Sequence, residues 1–196
     1  MKATGLKKGD IIAIWLPMVP ELAIIMLACT RIGVIHSIVF GGFSKEAVKD
    51  RIANSEAKLL FTVDKTKRSG KLYPMKENVA LIIDQCPTIE KVIDVKRAGV
   101  EVPWDDKMDI WYDDFIAGQS EECPCEEMDS EDPMFILYTS GTTGKPKGVL
   151  HTTAGYLLYT SYSHKIVFNY KEGDVYWCTA NIGWITGHSY ISYLVH

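Results

Sequence analysis

The 196-residue sequence holds no apolar run long enough to cross a bilayer, since a spanning helix needs about 20 such residues. Its nearest approach, Ile11 to Val19, is edged by Asp10 and broken by Pro17 and Pro20. Lys2, Lys7 and Lys8 precede it, but no small-residue cleavage pattern follows, so it reads as a buried strand rather than a secretory signal. Basic charge is not in excess. Lys and Arg number 21 against 25 Asp and Glu, a net charge of −4, with no basic stripe. Nucleic acid is therefore not an expected partner. Cysteine is sparse: Cys29, Cys86, Cys123, Cys125 and Cys178 form an odd, irregular set. Cys123-Pro-Cys125 is too tight for a zinc arm, and no second arm follows, so no metal site is expected and the thiols read as reduced. Repeats and low-complexity tracts are also missing. Together these absences predict a cytoplasmic chain with neither a membrane nor a nucleic-acid partner.

What is present is an ordinary globular composition, 47% hydrophobic and 23% charged, enough for one sizeable core. Strand and helix signals alternate through the first half. Ile11–Leu16 is a short apolar run closed by a proline. Leu22, Ile25, Met26, Cys29 and Ile32 then recur at helical spacing, with Gly33 as the stop. Val34–Phe40 is a second strand, Gly41-Gly42 a turn, and Ser44 an N-cap with Glu46 in the first turn behind it. Lys58–Val63 is a third strand. The β-α-β-α-β order predicts an α/β fold with a mostly parallel sheet flanked by helices. Ligands of such sheets gather at the carboxyl ends of the strands, where the Phe40–Ser44 turn falls. Beyond these, a helix is expected over Leu72–Asp84, a strand over Lys91–Val95, a loop over Lys96–Lys107 and a short helix over Asp109–Ala117.

Glu121–Asp132 is acidic and reads as a solvated linker. It divides a first α/β unit, residues 1–120, from a last segment, residues 133–196. In that segment Met134–Thr139 and Val149–Thr153 read as strands, Tyr156–Phe168 as a helix and Val175–Thr179 as a further strand, part of a second sheet.

Between the strands of the last segment lies the most informative stretch, Tyr138–Gly148, reading YTSGTTGKPKG. A triphosphate loop needs converging backbone N–H groups, hydroxyl donors and positive charge. Ser140, Gly141, Thr142, Thr143, Gly144 and Lys145 offer all three within six residues. It is not a Walker loop. That motif separates its glycines by four residues and opens into a helix, whereas here two residues intervene and Pro146 follows the lysine, disfavouring helix. The loop is expected to join two strands, and a general P-loop NTPase is disfavoured. A polar hairpin alone would account for Ser-Gly-Thr-Thr-Gly; the full string between two apolar strands is far more specific.

The string resembles the phosphate-loop signature of the adenylate-forming superfamily, which includes acyl-CoA synthetases, luciferases and peptide-synthetase adenylation units. The flanking text narrows the likeness. PMVPELAIIMLACTRIGVIHSIVFGGFSKEAVKDRI, DPMFILYTSGTTGKPKGVLHTTAGYL and DVYWCTANIGWITGHSY are similar to acetyl-CoA synthetases segment by segment, so the likeness runs from about Gly5 to Tyr193.

The resemblance implies an AMP-forming ligase fragment, part of the large N-terminal domain of such an enzyme. ATP with Mg2+, acetate and coenzyme A would be its substrates, with no tightly bound cofactor. It assigns Thr139 through Lys145 to the ATP phosphates, with Lys147 as a structural or screening charge. Ile185 and Thr186 fall to the acyl pocket; Phe40, Gly41, Gly42, Arg68 and Lys71 to coenzyme A. Lys71 stands where related enzymes often carry arginine, keeping the charge but not the fork. On the residues alone, Trp184 and Ile185 read as core and Arg68 as a surface charge. His188 reads as structural or as a polar pocket wall, because an ionised carboxylate attacks phosphorus without a base.

Relative to the family, the adenine- and ribose-binding segments, a magnesium-holding carboxylate and the C-terminal domain with its adenylation lysine are missing. The ending Leu194-Val195-His196 leads us to expect a truncated or frame-interrupted product, inactive alone. It could pair with a complementary C-terminal polypeptide or with itself. The alternatives are a propionyl or other short-chain ligase fragment and a non-catalytic nucleotide-binding module.

Overall fold

The computed structural model describes residues 1–68, 70–139 and 146–193. Seven strands form one sheet: β1 (Ile11–Ile14), β2 (Ile35–Ile38), β3 (Leu59–Val63), β6 (Lys91–Val95), β7 (Asp109–Trp111), β8 (Pro133–Thr139) and β9 (Lys147–Thr152). Their order is β7-β6-β3-β1-β2-β8-β9. Every pairing is parallel except β8 with β9. The helices are α1 (Pro20–Arg31), α2 (Lys45–Ser55), α3 (Met75–Ala80), α4 (Tyr112–Ile116), α5 (Thr153–Val167) and α6 (Ile185–Gly187); α6 runs into a π turn, His188–Ser192.

The central strands are buried on both faces, as a parallel sheet covered by helices requires. β2 and β3 have no exposed residue, and Trp15, Phe61 and Phe135 are wholly enclosed. Helix α1 starts with Pro20 in its first turn, where the missing N–H costs nothing. It buries Leu22, Ile25, Met26 and Cys29, the stripe expected from their spacing. Gly33 then turns the chain at φ +68°, a conformation that favours glycine. Ser44 caps α2 by accepting the Ala47 amide.

Parallel crossovers are right-handed. The connection from β1 leaves toward β2, while those from β2 and β3 leave in the opposite direction across the sheet. Helix α1 therefore lies on one face, and α2 and α3 on the other. The adjacent strands β1 and β3 send their chains apart, which opens a crevice between their carboxyl ends.

Four expectations change. Over Leu72–Asp84 the helix is confined to Met75–Ala80, and the preceding residues form an antiparallel hairpin, β4 (Thr66–Arg68) with β5 (Lys71–Tyr73). Pro74 stands at the junction and starts the helix. Asp109–Ala117 splits into β7 and α4, because the first three residues find β6 as a partner. Val175–Thr179 forms no strand: Val175 is 96% and Trp177 84% exposed, and a strand needs a neighbour to bond. Strands β8 and β9, expected to be part of a second sheet, instead extend the main one, because β8 pairs with β2. The acidic stretch 121–132 is neither helix nor strand. Arg31 holds the Cys123 carbonyl, and Lys8 pairs with Asp132 at 2.7 Å. Among the described residues no helix is long and apolar enough to cross a membrane.

Candidate functional site

Beyond the carboxyl ends of the central strands the chain assembles a compact group of aromatic, glycine and arginine residues. Strand β2 delivers Phe40, Gly41 and Gly42 to that edge, and α2 begins three residues later. Gly41 passes so close to the exit of β1 that a Cβ there would stand 3.0 Å from the Leu16 carbonyl oxygen. Gly42 is tighter: a Cβ would meet the Phe40 ring at 2.5 Å and the Arg68 guanidinium at 2.7 Å. At Gly41 the neighbour is backbone, whereas at Gly42 the crowding comes from two side-chain ends that can shift.

Arg68, at the tip of β4, donates from Nη1 to the Gly42 carbonyl at 3.0 Å, and its guanidinium lies 6.0 Å from the Phe40 ring. Arg68 is exposed. Trp184 completes the wall. Its ring lies 5.6 Å from that of Phe40 and 6.3 Å from that of Phe43, and it is half exposed. Gly183 makes this approach possible, since a Cβ would come 2.9 Å from the Phe40 Cα. Arg51 of α2 stacks on the other side of Phe43, 4.4 Å from its centroid, and 5.4 Å from the Tyr138 ring.

Phe40, Gly41, Gly42 and Arg68 thus come together. Lys71 sits opposite Arg68 on β5 with its side chain in solvent. Thr139 ends β8, exposed and paired with Lys147 of β9. The hairpin connecting two strands matches the expectation for the phosphate loop; Ser140 through Lys145 lie outside the described residues. Ile185 opens α6 and lines a crevice of about 420 Å³ with His151, Tyr156 and Tyr159, between β9 and α5. Thr186 is exposed beside it.

His188 is wholly buried. Its Nδ1 bonds the Ile182 carbonyl, and its Nε2 has no partner among the described residues. Burial holds its pKa down to about 4, so it stays neutral at ordinary pH and serves as packing. It belongs to a buried group that the sequence did not disclose. His36 stacks on Phe135 at 5.5 Å and hydrogen-bonds the Tyr193 hydroxyl at 3.0 Å. Burial, and next the neighbouring His188, hold the His36 pKa well below its ordinary value. The only signal was a histidine inside an apolar strand. Trp184 was likewise read as core, because nothing in its local spacing shows that its ring lies against Phe40. Among the described residues no group of three His, Cys, Asp or Glu side chains could hold a metal ion.

A parallel sheet whose carboxyl edge carries a glycine turn, an arginine and a strand-loop-strand hairpin defines an open-sheet α/β protein. The AMP-binding enzyme family matches residues 1–196, and the chain belongs to it. It is 56% identical over 193 residues to an acetyl-coenzyme A synthetase of Syntrophus aciditrophicus, and 58% identical to one of Syntrophobacter fumaroxidans. In both cases 98% of this chain is covered. Acetoacetyl-CoA synthetase from Streptomyces lividans superposes with a TM-score of 0.86 over 97% of this chain at 26% identity. The chain spans 30% of the length of each of these relatives.

Proposed function

We propose that this chain carries the phosphate-loop and coenzyme A-receiving part of an AMP-forming acetyl-CoA synthetase. In that reaction acetate attacks the α-phosphate of ATP to give acetyl-adenylate and pyrophosphate. The thiol of coenzyme A then takes the acetyl group and releases AMP. A free carboxylate is a poor electrophile, and the adenylate makes it a good one. The observation that carries the reading is the convergence of Phe40, Gly42 and Arg68 on one edge, together with 53–58% identity to acetyl-CoA synthetases across nearly the whole chain.

Within that reading, Thr139 through Lys145 bind the outgoing phosphates, and negative charge moving onto pyrophosphate is what Lys145 and the loop amides would stabilise. Phe40 and Trp184 offer ring faces to the nucleotide end of coenzyme A, with Arg68 and Lys71 for its phosphates. Ile185 and Thr186 bound the acid; a branched side chain there suits a two- or three-carbon substrate. The magnesium of the ATP complex would be held by groups other than those described, so the role of this chain is confined to phosphate, nucleotide and acid. A cytoplasmic location fits the reading.

These 196 residues alone are expected to show no acetate-dependent exchange of pyrophosphate into ATP. Exchange should appear when a polypeptide supplying the remaining part of a relative is added. Exchange by the chain alone, or none on complementation with a part that folds, would overturn the proposal. Propionate replacing acetate as the better substrate would move the reading to the neighbouring ligase.

A further inference from the structure

The crevice between β1 and β3 is not used by the reading above. The chain leaving β1 contributes Pro17, Met18 and Val19 to it, and the chain leaving β3 contributes Lys65, Thr66 and Lys67. Arg97 and Ala98, just beyond β6, and Leu72 of β5 close it to a volume of about 450 Å³, within the range of small-molecule sites. It lies where the strand connections part, the place at which open α/β sheets bind ligands.

Its lining is both apolar and cationic. Apolar Met18, Val19 and Leu72 and cationic Lys65, Lys67 and Arg97 line it together, with Leu72 directly opposite Lys67 in the β4–β5 pair. Lys65 is paired with Glu77 at 2.8 Å, while Lys67 and Arg97 have no acidic partner among the described residues. In a chain of net charge −4, five cations and no carboxylate fall between residues 65 and 76. Such a local reversal of sign steers anions. The turn presenting Arg97 is fixed from below. Asp64, wholly buried, accepts the amides of Lys65, Arg97, Ala98 and Gly99 at 2.6–2.9 Å. Val19, the cap residue of α1, also lines the crevice, and Glu21 stands in the first turn of that helix. Successive strand residues point to opposite sides. Arg68 faces the Gly42 turn and its neighbour Lys67 faces this crevice. The β4–β5 hairpin therefore separates two anion-seeking surfaces.

We propose that the β1–β3 crevice is a second phosphate-binding site, distinct from the Gly42–Arg68 turn and the Thr139–Lys147 hairpin. It takes a nucleoside diphosphate, with the phosphates against Lys67 and Arg97 and the base against Met18 and Leu72. The inference rests on the topology and charge of the crevice and not on the ligase reading. Titration of the 15N-labelled chain with ADP tests it, with adenosine and inorganic pyrophosphate as the partial ligands. ADP is expected to shift the amides of Lys65–Lys67 and Arg97–Gly99. Lys67→Glu and Arg97→Glu should each weaken that response about tenfold or more, as loss of a charge-assisted contact predicts, and Arg68→Glu should leave it within about twofold. Both substituted side chains of the crevice are exposed, and an unchanged amide spectrum establishes that the variants fold. Four results would overturn the proposal: no shift at millimolar ADP, shifts confined to residues 40–42 or 138–148, loss on Arg68→Glu alone, or pyrophosphate binding as tightly as ADP.

Discussion

Asp94 shows how far one side chain can be driven from its solution behaviour. It is buried in β6, with Lys76 Nζ 3.2 Å away and Asp109 sharing the same lysine. Burial pushes its pKa up to about 6; Lys76 opposes the rise and Asp109 adds to it. A folded-state pKa above the unfolded value means the folded chain holds the proton more tightly. The contribution to stability is therefore complete below about pH 4 and is lost as pH rises through about 6. The change is on the order of 2–3 kcal/mol at 1.36 kcal/mol per unit. Urea unfolding at pH 4 and pH 7 should show this slope in the wild type and a flatter one in Asp94→Asn. Equal slopes would mean that Asp94 ionises normally.

At the scale of the element, legibility followed periodicity. β1 through β3 with α1 and α2 were readable because apolar residues repeat at the period of each element, and caps such as Ser44 mark the ends. Ser44→Ala should lower stability by about 1 kcal/mol by removing the acceptor of the Ala47 amide; an unchanged midpoint of thermal unfolding would refute this cap. The β4–β5 hairpin was not readable, because Thr66, Lys67, Arg68 and Lys71 carry no apolar pattern and pair only through backbone. Val175–Thr179 failed in the other direction. Its pattern is that of a strand, but backbone pairing is a property of two segments and no second one is described beside it. The same limit applied to the site: the glycine turn and hairpin could be read from local sequence, while the Trp184–Phe40 contact joins residues 144 positions apart (184 − 40). Helix α6 depends on one such approach. A Cβ at Gly187 would stand 2.2 Å from the Asn181 carbonyl oxygen, so Gly187→Ala should destabilise by about 1–3 kcal/mol through overpacking. Unfolding at an unshifted urea concentration would contradict that.

On the whole molecule, the apolar surface is unevenly shared. Leu158, Tyr159, Tyr162, Ile166 and Val167 stand exposed on α5, and Val175 and Trp177 follow. Monomers rarely show so large a continuous apolar face. In isolation the 196-residue chain should associate with itself at micromolar concentration, with Leu158→Lys and Tyr162→Lys shifting it toward monomer. Sedimentation velocity reads this directly, and a concentration-independent monomer would exclude it. The strand β9 forms the adjoining sheet edge, with Val149 and Leu150 exposed, so its unpaired groups add to the same tendency.

The close seat of Gly183 on Phe40 has one more consequence. It joins the turn proposed for the nucleotide end of coenzyme A to the segment that carries Ile185. Two ligands that press on opposite sides of one contact exchange free energy through it, and the exchange is symmetric. On the proposed function, whatever factor the acid imposed on the affinity for coenzyme A through the Trp184–Phe40 contact, coenzyme A would impose on the acid.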